Sequence, residues 1–142
     1  MKVSRHALIP FSDQQMFDLV LDVVRYPEFL PWCSEGEVLE LDGQMQLARL
    51  TIRKANLTQS FTTRNQLICP GEIRLSLVEG PFKMLSGSWS FKSLGDTACK
   101  VMLDLSFEPA GALHGFALGS VFGQAANTMV DLFCRRAHAL YR

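Results

Sequence analysis

The residue types that carry out most enzyme chemistry are scattered along this chain rather than grouped in a catalytic pattern. Its three histidines, His6, His114 and His138, lie near the ends of predicted elements, with no nucleophile motif around them. The four cysteines are Cys33, Cys69, Cys99 and Cys134. Their spacing of about thirty residues or more, without a C-x-x-C pair, is typical of reduced thiols rather than of a zinc site. We therefore expect no catalytic residues, no metal and no cofactor.

Two polar residues are the best candidates for contacts with a small molecule. Thr63 and Asn65 fall on the predicted inward face of a strand, between the apolar residues Phe61 and Leu67. Neither side chain titrates near neutral pH, so both are poor acids or bases. A hydroxyl and an amide can orient a carbonyl of a small molecule, or they can bond locally to backbone or water. Both interpretations stay open at the level of sequence.

The elements that must position these residues begin with a strand and two short helices. Alternating apolar residues predict a strand over Lys2–Phe11. Ser12 is then a good helix N-cap, and Gln15 three residues later completes a capping box. Pro27 and Pro31 break the following helical segment and leave a short second helix.

From Glu37 onward the apolar period changes from helical to alternating, and after Pro109 it returns to helical. The alternating part is divided by turn signals at Asp42-Gly43, Ala55-Asn56, Cys69-Pro70-Gly71, Gly80-Pro81 and Gly95-Asp96. The final part repeats apolar residues every three or four positions: Phe122, Ala126, Met129, Phe133, Ala137 and Leu140. This order predicts an α+β fold, a curved antiparallel sheet of about seven strands wrapped around a long C-terminal helix. We expect a single domain over residues 1–142.

One helix cannot fill a curved sheet along its whole length, so the sequence suggests a hydrophobic cavity. Gly115, Gly119 and Gly123 recur every four residues, which allows either close helix–sheet packing or space for a ligand. The segment from Phe29 to Trp32 would either plug the end of the core or form a gate, with Gly80-Pro81-Phe82 as the opposite rim. The predicted ligand-binding residues are Phe29, Leu30, Trp32, Leu50, Ile52, Phe61, Asn65, Leu77, Phe82, Leu85, Trp89, Met129 and Phe133.

The zero net charge of the chain hides a strongly polarised distribution. Between Asp13 and Asp42 there are eight acidic residues and one base, whereas between Gln44 and Arg74 there are five bases and one acid. Arg49 and Arg53 should point to solvent from one strand. This pattern predicts either a basic sheet face that binds RNA phosphates or a solvated face neutralised by the acidic segment. The residues concerned are Arg49, Arg53, Lys54 and Arg64.

The sequence predicts a cytoplasmic protein without stable membrane insertion. The start, MKVSRHALIPF, lacks a cationic segment followed by a long apolar core, as a signal peptide would require. The uncharged stretch Pro109–Val130 contains Gln124, Asn127 and Thr128, which favours a buried helix over a membrane span. The balanced charge also gives no reason to expect DNA binding.

Three ordered motifs resemble the coenzyme Q-binding START-like family. They are YPEFLPWC at 26–33, FTTRN at 61–65 and GPFKMLSGSWSF at 80–91, and the resemblance runs nearly end to end. It implies the helix-grip fold of the START superfamily, which agrees with the element order above. No catalytic motif comes with it.

The resemblance implies two functions and leaves a third to be tested. Eukaryotic relatives bind ubiquinone and support respiration as carriers or chaperones. Bacterial members act as toxins that bind the large ribosomal subunit and block its association with the small one, so Arg49, Arg53, Lys54 and Arg64 become candidate ribosome-binding residues. Related helix-grip proteins include polyketide cyclases, which are enzymes. We expect a non-enzymatic protein whose partner is ubiquinone or a similar lipid, with the ribosome as the alternative partner.

Overall fold

The protein forms one seven-stranded antiparallel sheet with helices before and after its main run of strands. The computed structural model describes residues 1–54, 56–111 and 115–141, and the backbone alone at 115–117. The strands are β1 (Lys2–Ile9), β2 (Cys33–Leu41), β3 (Met45–Lys54), β4 (Leu57–Ile68), β5 (Glu72–Glu79), β6 (Phe82–Ser93) and β7 (Cys99–Pro109). The helices are α1 (Asp13–Leu21), a 3-10 helix (Val23–Glu28) and α2 (Gly115–Leu140). The order of strands in the sheet is β1-β7-β6-β5-β4-β3-β2, which confirms the predicted α+β architecture.

The predicted start of α1 is also confirmed, residue for residue. The backbone N–H of Gln15 donates to Ser12 Oγ at 3.1 Å, and the backbone N–H of Ser12 donates to Gln15 Oε1 at 2.9 Å. β1 ends at Ile9, two residues earlier than predicted, because Pro10 has no N–H to extend the ladder. The hydroxyl of Tyr26 donates to the carbonyl of Val20 and joins the 3-10 helix to α1.

The long helix covers the apolar inner face of the sheet. Its predicted apolar stripe is buried at Phe122, Ala126, Phe133 and Ala137, whereas its last turn is exposed at Leu140. The ring of Phe122 lies 4.7 Å from that of Phe107 on β7, measured between centroids. These contacts make α2 and the sheet a common hydrophobic core.

Of the two α2 glycines whose surroundings are described, Gly119 serves close packing, whereas Gly123 has room for a methyl group. A Cβ added at Gly119 would lie 3.0 Å from Pro109 Cγ and 3.1 Å from Met1 Cε. A Cβ at Gly123 would meet Phe107 at 3.8 Å. The surroundings of Gly115 and the whole of His114 and Ala55 lie outside the described residues. At Gly119, therefore, the missing side chain allows close packing and leaves no space for a ligand.

Among the residues that the structure describes, no helix combines the length and apolar character needed to cross a membrane. The second half of α2 carries Asp131, Arg135 and Arg136.

Gly36 allows β2 to approach the 3-10 helix closely, and its substitution tests this packing. A Cβ at Gly36 would collide with the backbone carbonyl of Val23, which cannot move aside like a flexible side chain. We expect Gly36→Ala to lower the free energy of unfolding by about 1–3 kcal/mol, measured by urea denaturation. Gly43→Ala is the matched control, because a Cβ there meets nothing within 4 Å, and its effect should stay within about 0.5 kcal/mol. Equal effects of the two variants would contradict this account.

Candidate functional site

A cavity of about 70 Å³ lies between α2 and the inner faces of strands β3 to β7. Seven of the predicted ligand-binding residues line it: Trp32, Leu50, Phe61, Asn65, Leu85, Trp89 and Met129. The lining also contains residues outside that set: Val20, Val23, Tyr26, Gln46, Ala48, Thr63, Ile73, Leu75, Leu105, Phe122, Ala125 and Ala126. The walls are thus mostly apolar with a few polar groups, which is typical of small-molecule sites.

The cavity is much smaller than the space that lies between the backbones of the curved sheet and the helix. Aromatic side chains fill most of that space, with ring centroids of Phe61 and Phe82 both within 5.6 Å of Phe122. What remains corresponds to roughly five water molecules, at about 10–15 Å³ for each. Pockets that hold drug-sized ligands usually have about 300–1,000 Å³. A long ligand would therefore have to displace side chains to enter.

Six predicted ligand-binding residues do not line the cavity: Phe29, Leu30, Ile52, Leu77, Phe82 and Phe133. Phe133 is fully buried behind the wall, with its ring 5.0 Å from Trp89 and 5.0 Å from Phe29. Leu30 and Ile52 are likewise 0% exposed within the core. Leu77 is half-buried beside Gly80. Strand alternation assigned Ile52 to the inner face, and helical periodicity did the same for Phe133, but other side chains separate both from the cavity.

Three buried polar side chains form one hydrogen-bonded chain in the cavity wall. The hydroxyl of Thr63 donates to Asn65 Oδ1 at 2.8 Å, and Asn65 Nδ2 donates to Gln46 Oε1 at 2.9 Å. Gln46 Nε2 then donates to the carbonyl of Leu21 at 2.8 Å. The partners of Thr63 and Asn65 are thus other buried side chains, and not the backbone or water that one of the two interpretations from sequence named. Gln46 was missed, although it interrupts the apolar inner face of β3 directly opposite Asn65.

Tyr26 is the one titratable residue in the described lining of the cavity. Burial, more than any nearby charge, raises the pKa of its phenol above the ordinary value. Burial also raises the pKa of Cys33, at the start of β2, to about 11. The cavity wall therefore offers hydrogen-bonding groups but no acid or base that changes its charge near neutral pH.

The basic residues of β3 and β4 divide between two faces of the sheet. Arg49 and Arg53 lie on the outer face, where Arg64 of β4 joins them opposite Leu47. Lys54 lies on the helix side, because adjacent strand residues point in opposite directions, and its Nζ donates to Gln124 Oε1 at 3.3 Å. The structure thus places three of the four candidate ribosome-binding residues on the same face of the sheet.

These three arginines differ in how their charge is balanced. Arg49 lies 3.5 Å from a carboxylate oxygen of Glu79 and 4.0 Å from one of Glu37. Arg53 and Arg64 are exposed and form no salt bridge within the described part of the chain. Acidic residues therefore pair with Arg49, and they leave Arg53 and Arg64 without a carboxylate partner in the described part of the chain.

Neither the histidines nor the acidic residues assemble into a metal site in the part of the chain that the structure describes. His6 lies on the outer face of β1 opposite Met102. His138 lies at the end of α2, with its ring 5.0 Å from that of Phe11.

Residues 9–134 match the polyketide cyclase / dehydrase and lipid transport family, and the chain belongs to this family. Within it, the chain is similar to proteins named ribosome association toxin RatA. It is 53% identical to the protein of that name from Pseudomonas aeruginosa, over 98% of this chain and 96% of the relative. It is 42% identical to the one from Escherichia coli, over 99% of this chain and 89% of the relative.

A more distant relative carries the name of a quinone-binding protein. The chain is 27% identical to coenzyme Q-binding protein COQ10 homolog B, mitochondrial, from Xenopus laevis, over 97% of this chain and 58% of that protein. Solved structures agree on the fold. An aromatase/cyclase from Streptomyces has a TM-score of 0.86 at 18% identity, covering 100% of this chain and 96% of its own. A START superfamily protein from Mycobacterium smegmatis has a TM-score of 0.81 at 19% identity, with 98% of both chains covered.

Substitutions that fill the cavity should distinguish it from the packed core around it. Ala48 lines the cavity, so Ala48→Val should place its added methyl groups in empty space and raise the free energy of unfolding by about 1 kcal/mol. Ala137 is 0% exposed and does not line the cavity, so Ala137→Val should lower that free energy by about 1–3 kcal/mol through overpacking. Chemical denaturation measures both values. A loss of stability in Ala48→Val as large as in Ala137→Val would show that the cavity does not accept extra volume.

Proposed function

We propose that this protein binds the large ribosomal subunit, blocks its association with the small subunit and so inhibits translation. The observation that carries the proposal is the 53% identity to a ribosome association toxin along nearly the whole chain. A protein with this function acts in the cytoplasm, as the sequence predicts.

The outer face of β3 and β4 is the surface we propose for this contact. Arg53 and Arg64 lie there without carboxylate partners in the described residues, among small hydroxyl side chains such as Thr51 and Ser60. Guanidinium groups bind phosphate oxygens with two parallel hydrogen bonds, and small neighbours let a broad RNA surface approach. Each phosphate contact also releases counterions, so the affinity should fall as salt rises.

Removal of both arginines tests this surface. We expect Arg53→Ala with Arg64→Ala to weaken co-sedimentation with purified large subunits about tenfold at low salt. The slope of log affinity against log salt should become shallower by about 1.5, because two phosphate contacts are lost. A subunit association assay should show a parallel loss of inhibition.

The matched control is Lys92→Ala with Lys100→Ala, which removes the same charge from two residues paired across β6 and β7 on the same face of the sheet. This control should bind subunits nearly as well as the unaltered protein. Equal losses in the two double variants would mean that overall charge, rather than the β3–β4 surface, determines binding. If neither double variant loses affinity for large subunits, the ribosome contact lies on another surface.

We further propose that the cavity binds a hydrophobic small molecule of the ubiquinone or isoprenoid type. The specific observation in favour is a persistent apolar cavity beside a buried polar chain, because a well-packed core would be expected to close it. The present volume requires the ligand to push side chains apart, and Met129 is suited to this because its side chain is long and flexible. Burial of the ligand would supply about 25 cal/mol per Å² of apolar surface.

We propose a binding role for the cavity rather than catalysis. Cyclisation of a polyketide needs an acid or base within reach of the substrate. The raised pKa of Tyr26 keeps its phenol neutral, and Thr63, Asn65 and Gln46 carry no titratable group. The likeness to an aromatase/cyclase, at 18% identity, concerns the fold alone.

Native mass spectrometry of the protein from its own host, followed by organic extraction, tests the ligand. We expect a stoichiometric quinone or other isoprenoid in the unaltered protein and in the Arg53→Ala, Arg64→Ala variant. Ala48→Val should carry clearly less, because it occupies part of the cavity. An empty protein that still pellets with large subunits would remove the ligand proposal and leave the ribosomal one intact.

A further inference from the structure

A groove on the outside of the protein shares its wall with the cavity. It is open to solvent, has a volume of about 410 Å³ and runs along α2 past Lys54, Gln124 and Arg135. Trp32 and Ala125 line both the groove and the cavity. Since alanine has only a methyl group, the Trp32 side chain is the part of this shared wall that can turn aside.

The backbone at Trp32 is held on both sides, so movement there is confined to the side chain. The Trp32 carbonyl accepts from the backbone N–H of Arg53 at 2.8 Å, and the N–H of Cys33 donates to the carbonyl of Leu30 at 3.0 Å. The preceding segment is fastened to α2, where Arg136 Nη2 lies 2.6 Å from Glu28 Oε1. The Arg136 guanidinium also lies 5.1 Å from the centre of the Phe29 ring.

The indole N–H of Trp32 has no hydrogen-bond partner among the described residues, although Trp32 is only 7% exposed. A buried donor without an acceptor costs free energy, and such groups commonly mark a place where a water or ligand binds. Asn65, Thr63 and Gln46 in the same wall differ, because each already donates to a protein oxygen. The unmatched donor therefore belongs to a residue that borders both the cavity and the groove, whereas Asn65 borders the cavity alone.

We propose that the groove is the entrance to the cavity, that Trp32 is its gate, and that its indole N–H donates to an oxygen of an amphipathic ligand. The apolar part of the ligand then lies inside the cavity, and its polar end lies where the charged groove begins. Lys54 and Arg135 suit an oxygen-bearing group there, and Asp131 is already paired with Arg5 at 3.3 Å. This inference rests on the ligand-binding proposal and specifies which end of the ligand the protein recognises.

Three probes with similar apolar parts test the hydrogen bond: decylubiquinone, dodecanoate and decylbenzene, which lacks oxygen. Isothermal titration should give an affinity about fivefold to tenfold lower in Trp32→Phe for whichever oxygen-bearing probe binds, as expected for one lost hydrogen bond. Decylbenzene should bind the two proteins within about twofold. The quinone and carboxylate arms distinguish the two sources of the oxygen.

Trp89→Phe is the matched control, because Trp89 lines the cavity but not the groove. It should change the affinity of all probes to a similar extent. A selective loss of the oxygen-bearing probes in Trp89→Phe, with none in Trp32→Phe, would overturn the inference while leaving ligand binding in place. Failure of every probe to bind the unaltered protein would overturn both this inference and the ligand-binding proposal.

The gate has a test that needs no ligand. In Trp32→Ala and Trp32→Phe, Trp89 is the only tryptophan left, and it is 2% exposed in the cavity wall. Acrylamide should quench its fluorescence severalfold more strongly in Trp32→Ala, where the entrance is open, than in Trp32→Phe. Trp32→Phe with Leu50→Ala should remain protected, because Leu50 lines the cavity away from the groove. Circular dichroism verifies folding, and Trp32→Leu replaces Trp32→Ala if the latter unfolds. Equal quenching of Trp89 in Trp32→Phe and in Trp32→Ala or Trp32→Leu would overturn the proposal that Trp32 is the gate.

Discussion

The inner face of the sheet has to be covered by a single long helix, and the rest of the structure depends on this constraint. Burial of apolar surface is the main favourable term in folding, yet one helix contacts only part of a seven-stranded sheet. Large aromatic side chains, centred on Phe122 and Phe133, fill most of the remaining space. At Ala125 and Ala126, α2 carries methyl groups instead of aromatic rings, and the cavity lies beside them. Its position is therefore set by side-chain size along α2.

A series of hydrogen bonds from Thr63 through Asn65 to Gln46 allows these polar side chains to be buried in the apolar interior. A polar group without a partner in such a place would be costly, so each of the three donates to a protein oxygen. The last bond reaches the carbonyl of Leu21 at the end of α1, so these hydrogen bonds also join the first helix to β3, the second strand from one edge of the sheet. Trp32 differs, since its buried indole N–H has no acceptor in the part of the chain that the structure describes.

β3 contributes to both candidate surfaces. Its even-numbered residues, such as Ala48 and Leu50, line the cavity, and its odd-numbered residues Arg49 and Arg53 lie on the outer face. Because the pleat keeps these two sets apart, a ligand inside and an RNA surface outside do not compete for the same side chains. The two proposed functions are compatible in one molecule and can be separated by substitution.

The sequence by itself determined the order of elements, the cap at Ser12 and Gln15, and the face on which each strand residue lies. These features follow from short-range periodicity, capping and turn chemistry, and the helix-grip fold follows from their order. The tertiary structure decided which inward residues border empty space. Phe133 and Ile52 have the right face, yet neighbours cover them, whereas Ala125 and Gln46 border the cavity. The physical reason is that alternation gives the direction of a side chain, while a cavity depends on the combined volumes of residues far apart in sequence. The same holds for Trp32, whose place between cavity and groove arises only when α2 packs beside it.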